Sequence, residues 1–334
     1  MSGTNNEEGW TTQHKRLYVK KSSKKIINKQ FDIVIYHGPS CPDGICSLYC
    51  AKKFLGADVK IQGCSAGIDP KGYFKNKKIL FVDLCPSLDF IKNNIQIINQ
   101  LTILDHHNST QTLYEKEKEY LDSLKNLNLV LDMTKAGCQI TWDFFFENVP
   151  RPWFVDYIAD RDLWKWELFD SKEINAALYE NEYFNFRNYT QLDNLLVNPE
   201  EKKNQLIHEG KIILRMQQRE IDNGIKQAKK AVFKVGSKLH NVWLLGNINP
   251  ALRSEVGNQL VNKKFEDETI PEFAVIWLFE PESNEWWMSM RGAEGTSPDL
   301  SVIANHFGGG GHKLAAGFSI KNGECLLDYF TVCN

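Results

Sequence analysis

Short apolar runs alternate with amphipathic stretches through the first half of the chain. Phe31-Asp32-Ile33-Val34-Ile35-Tyr36, Val59-Lys60-Ile61, Ile79-Leu80-Phe81-Val82-Asp83, Ile97 to Leu104 and Leu127 to Leu131 are the apolar runs. Their length and their β-branched content predict buried strands. Between them, Ile45 to Phe54, the charged region 110–126, Lys135 to Phe146 and the stretch from Pro152 to Asp162 predict helices. Pro86 and Pro152 suit helix first turns. Strands that alternate with helices imply βαβ units and a parallel sheet. Residues 163–195 hold Trp164, Trp166, Phe169, Tyr179, Tyr183, Phe184, Phe186 and Tyr189. They read as a helical cover on the sheet, with a base-stacking or lid role for one or two of them as the alternative.

Farther on, Ile207, Ile212, Ile213, Met216 and Ile221 recur at helix-like spacing in a long polar segment. This predicts a helical connector. The pattern then restarts: His240 to Leu245, Phe273 to Leu278 and Trp286 to Arg291 predict strands, and Leu252 to Val261 and Pro298 to Phe307 predict helices. The expected fold class is α/β: a parallel-sheet domain joined by a helical connector to a smaller mixed α/β domain. The expected division is a basic flexible arm at 1–29, the first domain at 30–198, the connector at 199–230 and the second domain at 231–334.

The length of 334 residues agrees with two domains. A net charge of −2 gives no global pull toward nucleic acid or anionic membrane. Locally, residues 11–30 carry seven Lys or Arg and no acid, as a solvated arm or a nucleic-acid contact would. No apolar stretch is long enough to span a bilayer, and the N-terminus lacks the apolar core of a secretion signal. The eight cysteines are therefore expected as reduced thiols in a cytoplasmic protein, with a nuclear location as the alternative. A zinc site built from Cys41, Cys46, Cys50 and Cys64 lacks C-x-x-C spacing.

The candidate chemistry gathers at predicted strand ends. The fourth run ends in Asp105-His106-His107, the first in His37 followed by Asp43, and the third in Asp83; Asp160 follows a helix. In open α/β sheets, ligands bind beyond the carboxyl ends of strands. Mixed Asp and His donors favour Mn or Mg, with Zn as a further option. Two ions bridged by a carboxylate form a clamp for displacement at phosphorus. Asp32 opens its strand rather than ending it, which leaves it outside the set.

These residues resemble the motifs of the DHH phosphoesterase superfamily, which includes RecJ-like exonucleases, oligoribonucleases and family II pyrophosphatases. His37, Asp43 and Gly44 fit H-x-x-x-D-x-D-G; Asp83 fits the second motif, Asp105-His106-His107 the third and Ala159-Asp160 the fourth, with Asp162 as the lesser substitute. Cys41 stands where the first motif has its first Asp. Thiolate prefers softer ions than Mn or Mg, so the ion on the His37 side is expected to be weak or missing. His306-Phe307-Gly308-Gly309-Gly310-Gly311-His312 resembles the GGGGH signature of the DHH-associated substrate domain, a feature that counts against the pyrophosphatases. The resemblance covers roughly residues 31–320.

It implies a metal-dependent phosphodiesterase acting on single-stranded DNA or RNA ends or short oligonucleotides. The implied metal ligands are His37, Asp43, Asp83, His106 and Asp160, with Cys41 at the position of a further ligand, for one or two Mn or Mg ions. His107 and Asp105 are the catalytic candidates. Arg291, Gly308, Gly309, Gly310, Gly311 and His312 are the phosphate-binding candidates, since glycine amides can cradle an anion and Arg can fork onto one. The rival readings are a phosphatase or pyrophosphatase acting on phosphorylated nucleotides, and a non-catalytic nucleotide-binding module.

Overall fold

The protein is described here by a computed structural model covering residues 29–38, 41–180, 186–194, 198–246, 248–262, 271–321 and 324–333. The basic arm up to residue 28, Tyr183, Phe184 and the side chain of Phe186 lie outside the described residues.

The first half runs β1 (Ile33–His37), α1 (Pro42–Leu55), β2 (Lys60–Cys64), β3 (Lys78–Val82), α2 (Leu88–Asn94), β4 (Gln100–Asp105), α3 (Asn108–Lys116), α4 (Lys118–Ser123) and β5 (Leu127–Leu131). These strands pair in the order β2-β1-β3-β4-β5, every pair parallel. The order reverses at β1, with β2 on one side and β3 on the other. Such a switch point leaves a crevice at the carboxyl ends of the two strands.

Both faces of the sheet are apolar, as parallel strands require. Ile35, Phe81 and Ile103 pack with Phe90, Ile91 and Leu121 on one face. Val34, Leu80 and Leu104 pack on the other with Leu48 and Ala51 of α1 and with Ile140 and Phe145 of α5 (Gly137–Phe145). Beyond α5, α6 (Trp153–Asp162), α7 (Ser171–Glu180) and α8 (Phe186–Leu192) share a further core with α1. Tyr189 is fully buried there and stacks on Phe154 at 5.2 Å, so it belongs to the cover.

Helix α9 (Pro199–Gln227) starts at the Asn198 cap, whose side chain accepts from Glu200 N–H. Its buried positions are Leu206, Gly210, Ile221, Gly224 and Ile225 rather than the whole apolar set expected; Ile212 and Met216 are exposed. Gly210 lies against the backbone of Glu173 on α7, where a Cβ would come 1.9 Å from the carbonyl oxygen.

The second half comprises β6 (Lys229–Val235), β7 (Lys238–Gly246), α10 (Arg253–Asn262), β8 (Phe273–Glu280), β9 (Glu285–Gly292), α11 (Leu300–His306), β10 (Gly310–His312), β11 (Ala315–Ile320) and β12 (Phe330–Val332). They form a mixed sheet in the order β10-β11-β9-β8-β7-β6-β12, in which only β7 and β8 run parallel. A parallel sheet and a second, mixed sheet with helices make the fold α/β. Strands β6, β10, β11 and β12 had no counterpart among the predicted elements.

Candidate metal centre

The backbone of the switch point delivers the acids and histidines to one place. His37 ends β1, Asp83 follows β3, and His106 and His107 follow β4. Asp43 sits in the first turn of α1, above β1. Two sets of donor atoms lie close enough to hold an ion: His37, Asp83 and His107, and Asp43, Asp83 and His106, each with its atoms within 4.8 Å of one another. Asp83 belongs to both. Its Oδ2 lies 3.3 Å from His37 Nδ1 and its Oδ1 lies 3.1 Å from His106 Nε2. Asp83 also holds a left-handed backbone, φ 55°, a conformation that costs about 1–3 kcal/mol outside glycine and clusters at functional sites.

Asp43 is aimed by a helix far away in sequence. Its two carboxylate oxygens accept from the backbone N–H groups of Gly137 (2.6 Å) and Cys138 (2.9 Å) at the start of α5. A helix N-terminus favours a carboxylate in that position. Gly137 has no room for a side chain: a Cβ would come 2.6 Å from Asp83 Cβ and 2.9 Å from Asp43 Oδ2. Gly44 is equally constrained, since its Cβ would meet the His37 carbonyl at 1.8 Å. Reading the sequence missed Gly137; the signal was a lone glycine at the head of an amphipathic helix.

Asp105 belongs to neither ion-holding set, and its oxygens are taken up by its own loop and by α3. Its Oδ1 accepts from His106 N–H at 2.9 Å and pairs with His107 Nδ1 at 2.7 Å, and its Oδ2 accepts from the Thr110 hydroxyl. With its oxygens engaged, it is placed to hold His107 rather than to touch a substrate. That corrects the expectation of a catalytic Asp105. Burial works against protonation of His107, but the Asp105 charge and hydrogen bond outweigh it and lift its pKa to about 9. His106 is likewise raised: burial opposes, while its hydrogen bond to Asp83 and the charges of Asp162, Asp83 and Asp43 prevail. Burial and the neighbouring charges of Asp83 and Asp162 drive Asp43 upward. Three carboxylates crowded around one imidazole is a donor set that suits a divalent cation.

The third of these acids is Asp162, and Asp160 does not reach His106. Asp162 Oδ2 lies 3.5 Å from His106 Nε2, and its side chain is 28% exposed toward the cleft. Asp160 is buried and accepts from the backbone N–H groups of Glu167 (3.0 Å) and Leu168 (3.5 Å). Two residues along the last turn of α6 turn the side chain by roughly 200°, which separates an acid facing the cluster from one facing the following loop.

Cys41 caps α1, its sulfur accepting from Gly44 N–H at 3.4 Å and facing Asp83 Oδ2 at 3.5 Å. Burial and the Asp83 charge push its thiol well up, so it is a protonated donor to Asp83. Neither ion-holding set among the described residues contains a cysteine. Cys46 and Cys50 lie on α1 and are buried in the helical core, whereas Cys64 is buried in a different core, at the end of β2, which rules out the four-cysteine zinc site.

A cleft of about 750 Å³ opens in front of the cluster. Asp43, His106 and Asp162 line it on one side, and Arg291, Ser254 and His312 on the other. His312 stacks on His107 with ring centroids 5.3 Å apart. Burial, with the nearby His107 charge, holds its pKa down at about 4. Arg291 donates to Met290 O (2.8 Å) and Ser254 Oγ (2.7 Å). Burial, with Arg253 nearby, lowers its pKa to about 10, which leaves it a cation at neutral pH. Gly308, Gly309, Gly310 and Gly311 do not line this cleft. Gly310 and Gly311 pair with β11, and a Cβ on Gly309 or Gly311 would strike the β11 backbone at 2.1 or 2.5 Å. The glycines thus seat β10 tightly against β11 and carry His312 to the cleft, in place of the expected phosphate cradle.

No protein-family model matches the chain. Among solved structures, a pGpG-specific phosphodiesterase, PggH of Vibrio cholerae, is similar over 87% of this chain and 94% of that one, with a TM-score of 0.37 and 13% sequence identity. At that score the similarity says nothing of activity. Among curated proteins, the uncharacterized protein R106 of Acanthamoeba polyphaga mimivirus is 30% identical over 322 residues, which span 91% of this chain and 71% of the viral one. The chain belongs to the family of that mimivirus protein.

Proposed function

We propose that the chain is a DHH-superfamily phosphodiesterase, dependent on Mn or Mg, that hydrolyses nucleotide phosphodiester bonds in short oligonucleotides or at single-stranded DNA or RNA ends. The observation that carries this reading is the pair of His/Asp sets sharing Asp83 at the switch point, with His312 and Arg291 across the cleft. The same pair supports a two-domain division of labour, in which the first sheet supplies the metal ligands and the second the phosphate-binding groups.

His37, Asp43, Asp83, His106 and Asp162 are the ligands in this reading, with His107 beside them. These ligands would hold a divalent ion, which when bound would supply Lewis-acid activation of a water and of the phosphoryl oxygen. Asp105 orients His107 through the 2.7 Å contact at Nδ1 and favours its imidazolium form, so that Nε2–H is free to donate to a phosphate oxygen or to the leaving oxygen. Arg291, anchored by Ser254, presents its guanidinium to the phosphate. His312 stays neutral and offers one donor against the face of His107.

The test is a substrate panel on the full chain with Mn present: short RNA, short DNA, pyrophosphate and 3′-phosphoadenosine phosphate. Turnover of the oligonucleotides well above the two small phosphates is expected. Preferential turnover of pyrophosphate or of the phosphoadenosine would overturn the reading in favour of a small-molecule phosphatase. One observation favours a second reading, a binding module without turnover: Cys41 puts a protonated thiol where a ligand carboxylate is expected. Tight oligonucleotide binding with no hydrolysis in Mn, Mg, Zn or Co would support it.

A further inference from the structure

A second cleft, of about 420 Å³, adjoins the first. Arg161 and Trp164 line both, so the two cavities meet at these side chains. One wall of the second cleft is aromatic. Trp164 and Trp166 meet edge to face at 5.1 Å, and the Arg161 guanidinium lies 5.0 Å over the Tyr179 ring. Neither tryptophan belongs to an apolar core, and Trp164 is 39% exposed.

The backbone that presents them is strained. Trp164 and Trp166 hold φ of 54° and 56°, a left-handed conformation costing about 1–3 kcal/mol per residue. Asp160 over-determines it: its carbonyl accepts from Lys165 N–H at 2.9 Å and its carboxylate accepts from Glu167 N–H and Leu168 N–H. A buried acid at the end of α6 therefore holds two indoles out of the core and at the junction of two cavities.

The facing wall is made of hydrogen-bonding edges. Gln218 and Gln259 bond to each other through their side-chain amides at 3.1 and 3.2 Å. The side-chain amide of Asn258 makes no hydrogen bond among the described residues. Glu255 pairs loosely with Arg161 through Oε1 at 3.7 Å, while its Oε2 is buried with no donor. A buried carboxylate oxygen without a donor calls for a ligand or water to supply one.

An aromatic wall facing amides and an unsatisfied carboxylate suits a flat heteroaromatic ring with N–H donors on its edge. Aromatic faces bind any base by stacking, and amides and carboxylates read its edge. A cation at the junction suits the phosphate that links such a ring to the first cleft.

We propose that the second cleft is a nucleobase subsite, so that the preferred substrate is a linear dinucleotide or a strand end with one nucleotide at the metal centre and the next base between Trp166 and Asn258. This rests on the phosphodiesterase reading above and narrows its substrate class.

The test compares a 5′-phosphorylated dinucleotide with bis(p-nitrophenyl) phosphate, a diester without bases, on the full chain with Mn. In Trp166→Ala and Asn258→Ala, the ratio of kcat/KM for the dinucleotide to that for the base-free diester should fall. For Trp166→Ala the drop is roughly 5- to 150-fold, the range of one lost stacking contact. Trp166→Phe, which keeps an aromatic face, should restore most of the ratio, whereas a merely structural defect would not respond in this way. An unchanged ratio in both alanine variants overturns the proposal. Failure of wild type to hydrolyse either diester would overturn the phosphodiesterase reading instead. The subsite is then decided by tryptophan fluorescence titration with the dinucleotide: binding weakened in Asn258→Ala supports it, and no binding by wild type overturns it.

Discussion

His107 and His312 stack nearly parallel, 5.3 Å between ring centroids and 14° between planes, although one follows the parallel sheet and the other ends a strand of the mixed sheet. The contact joins an imidazole of one candidate donor set to a neutral imidazole on the opposite wall of the cleft. His312→Ala and Arg291→Ala should each raise the substrate constant by roughly 10- to 100-fold, the loss of one charge-assisted or buried hydrogen bond of about 1.5–3 kcal/mol. Mn affinity, measured by calorimetry, should change little. A fall in metal content without a rise in the substrate constant would show that the second sheet does not divide the labour in this way.

Asp83 and His106 should be indispensable. Asp83→Ala removes the carboxylate common to both donor sets, and His106→Ala removes the imidazole ringed by three acids. Each should abolish turnover on a substrate that wild type cleaves, with the fold retained by circular dichroism. Full activity in either variant would refute the site.

Asp160 and Asp162 should part company. Asp162→Asn is expected to weaken Mn binding, because the acid beside His106 loses its charge. Asp160→Asn should leave Mn binding intact and lower stability by about 1–3 kcal/mol, since it disturbs the backbone N–H groups that its carboxylate satisfies. Mn titrations and urea unfolding of the two variants separate them; the reverse pattern would return the ligand role to Asp160.

Cys41→Asp should tighten the ion on the His37 side. The thiol is protonated and donates to Asp83; a carboxylate there adds charge and a hard oxygen donor. Calorimetry is expected to show one firm Mn site in wild type and two in the variant. The metal-free variant should be less stable, because a fourth acid then joins Asp43, Asp83 and Asp162. Two equally tight ions in wild type would rule this out.

Metal-free protein should be most stable near pH 6.5. His107 has a folded pKa of about 9 against an ordinary 6.5, so its contribution is complete below 6.5 and lost as pH rises through 9. His312 has a folded pKa of about 4, so its neutral burial favours folding above 6.5 and is lost as pH falls toward 4. Urea midpoints measured in chelator across pH 4–9.5 should therefore fall on both sides. His107→Gln should flatten the alkaline limb and His312→Gln the acid limb.

The parallel sheet was legible because short continuous apolar runs must be buried on both faces, and strand ends carrying Asp and His stand out against them. Asp43, Asp83, His37 and His106 converge as their positions after strands predict. Asp160 and Asp162 could not be told apart, because both sit in one helical turn and only the loop beyond it decides which side chain turns inward. Strands β10 and β11 stayed hidden: Gly310 and Gly311 carry no β-forming side chain, and their pairing depends on close backbone approach to Ala315 and Ala316. The indole pair was visible only as composition. Its presentation depends on left-handed backbone at Trp164 and Trp166, which propensity alone disfavours.

The carboxylate of Asp43 belongs to a donor set that could hold an ion and also caps helix α5. A cation bound through the lone pairs that the two amides leave open would hold the carboxylate in the orientation the amides require. Loading the centre should therefore slow amide exchange at Gly137 and Cys138, nearly one hundred residues downstream of the acid. Hydrogen exchange at the head of α5 becomes a reporter of occupancy that needs no substrate and no turnover.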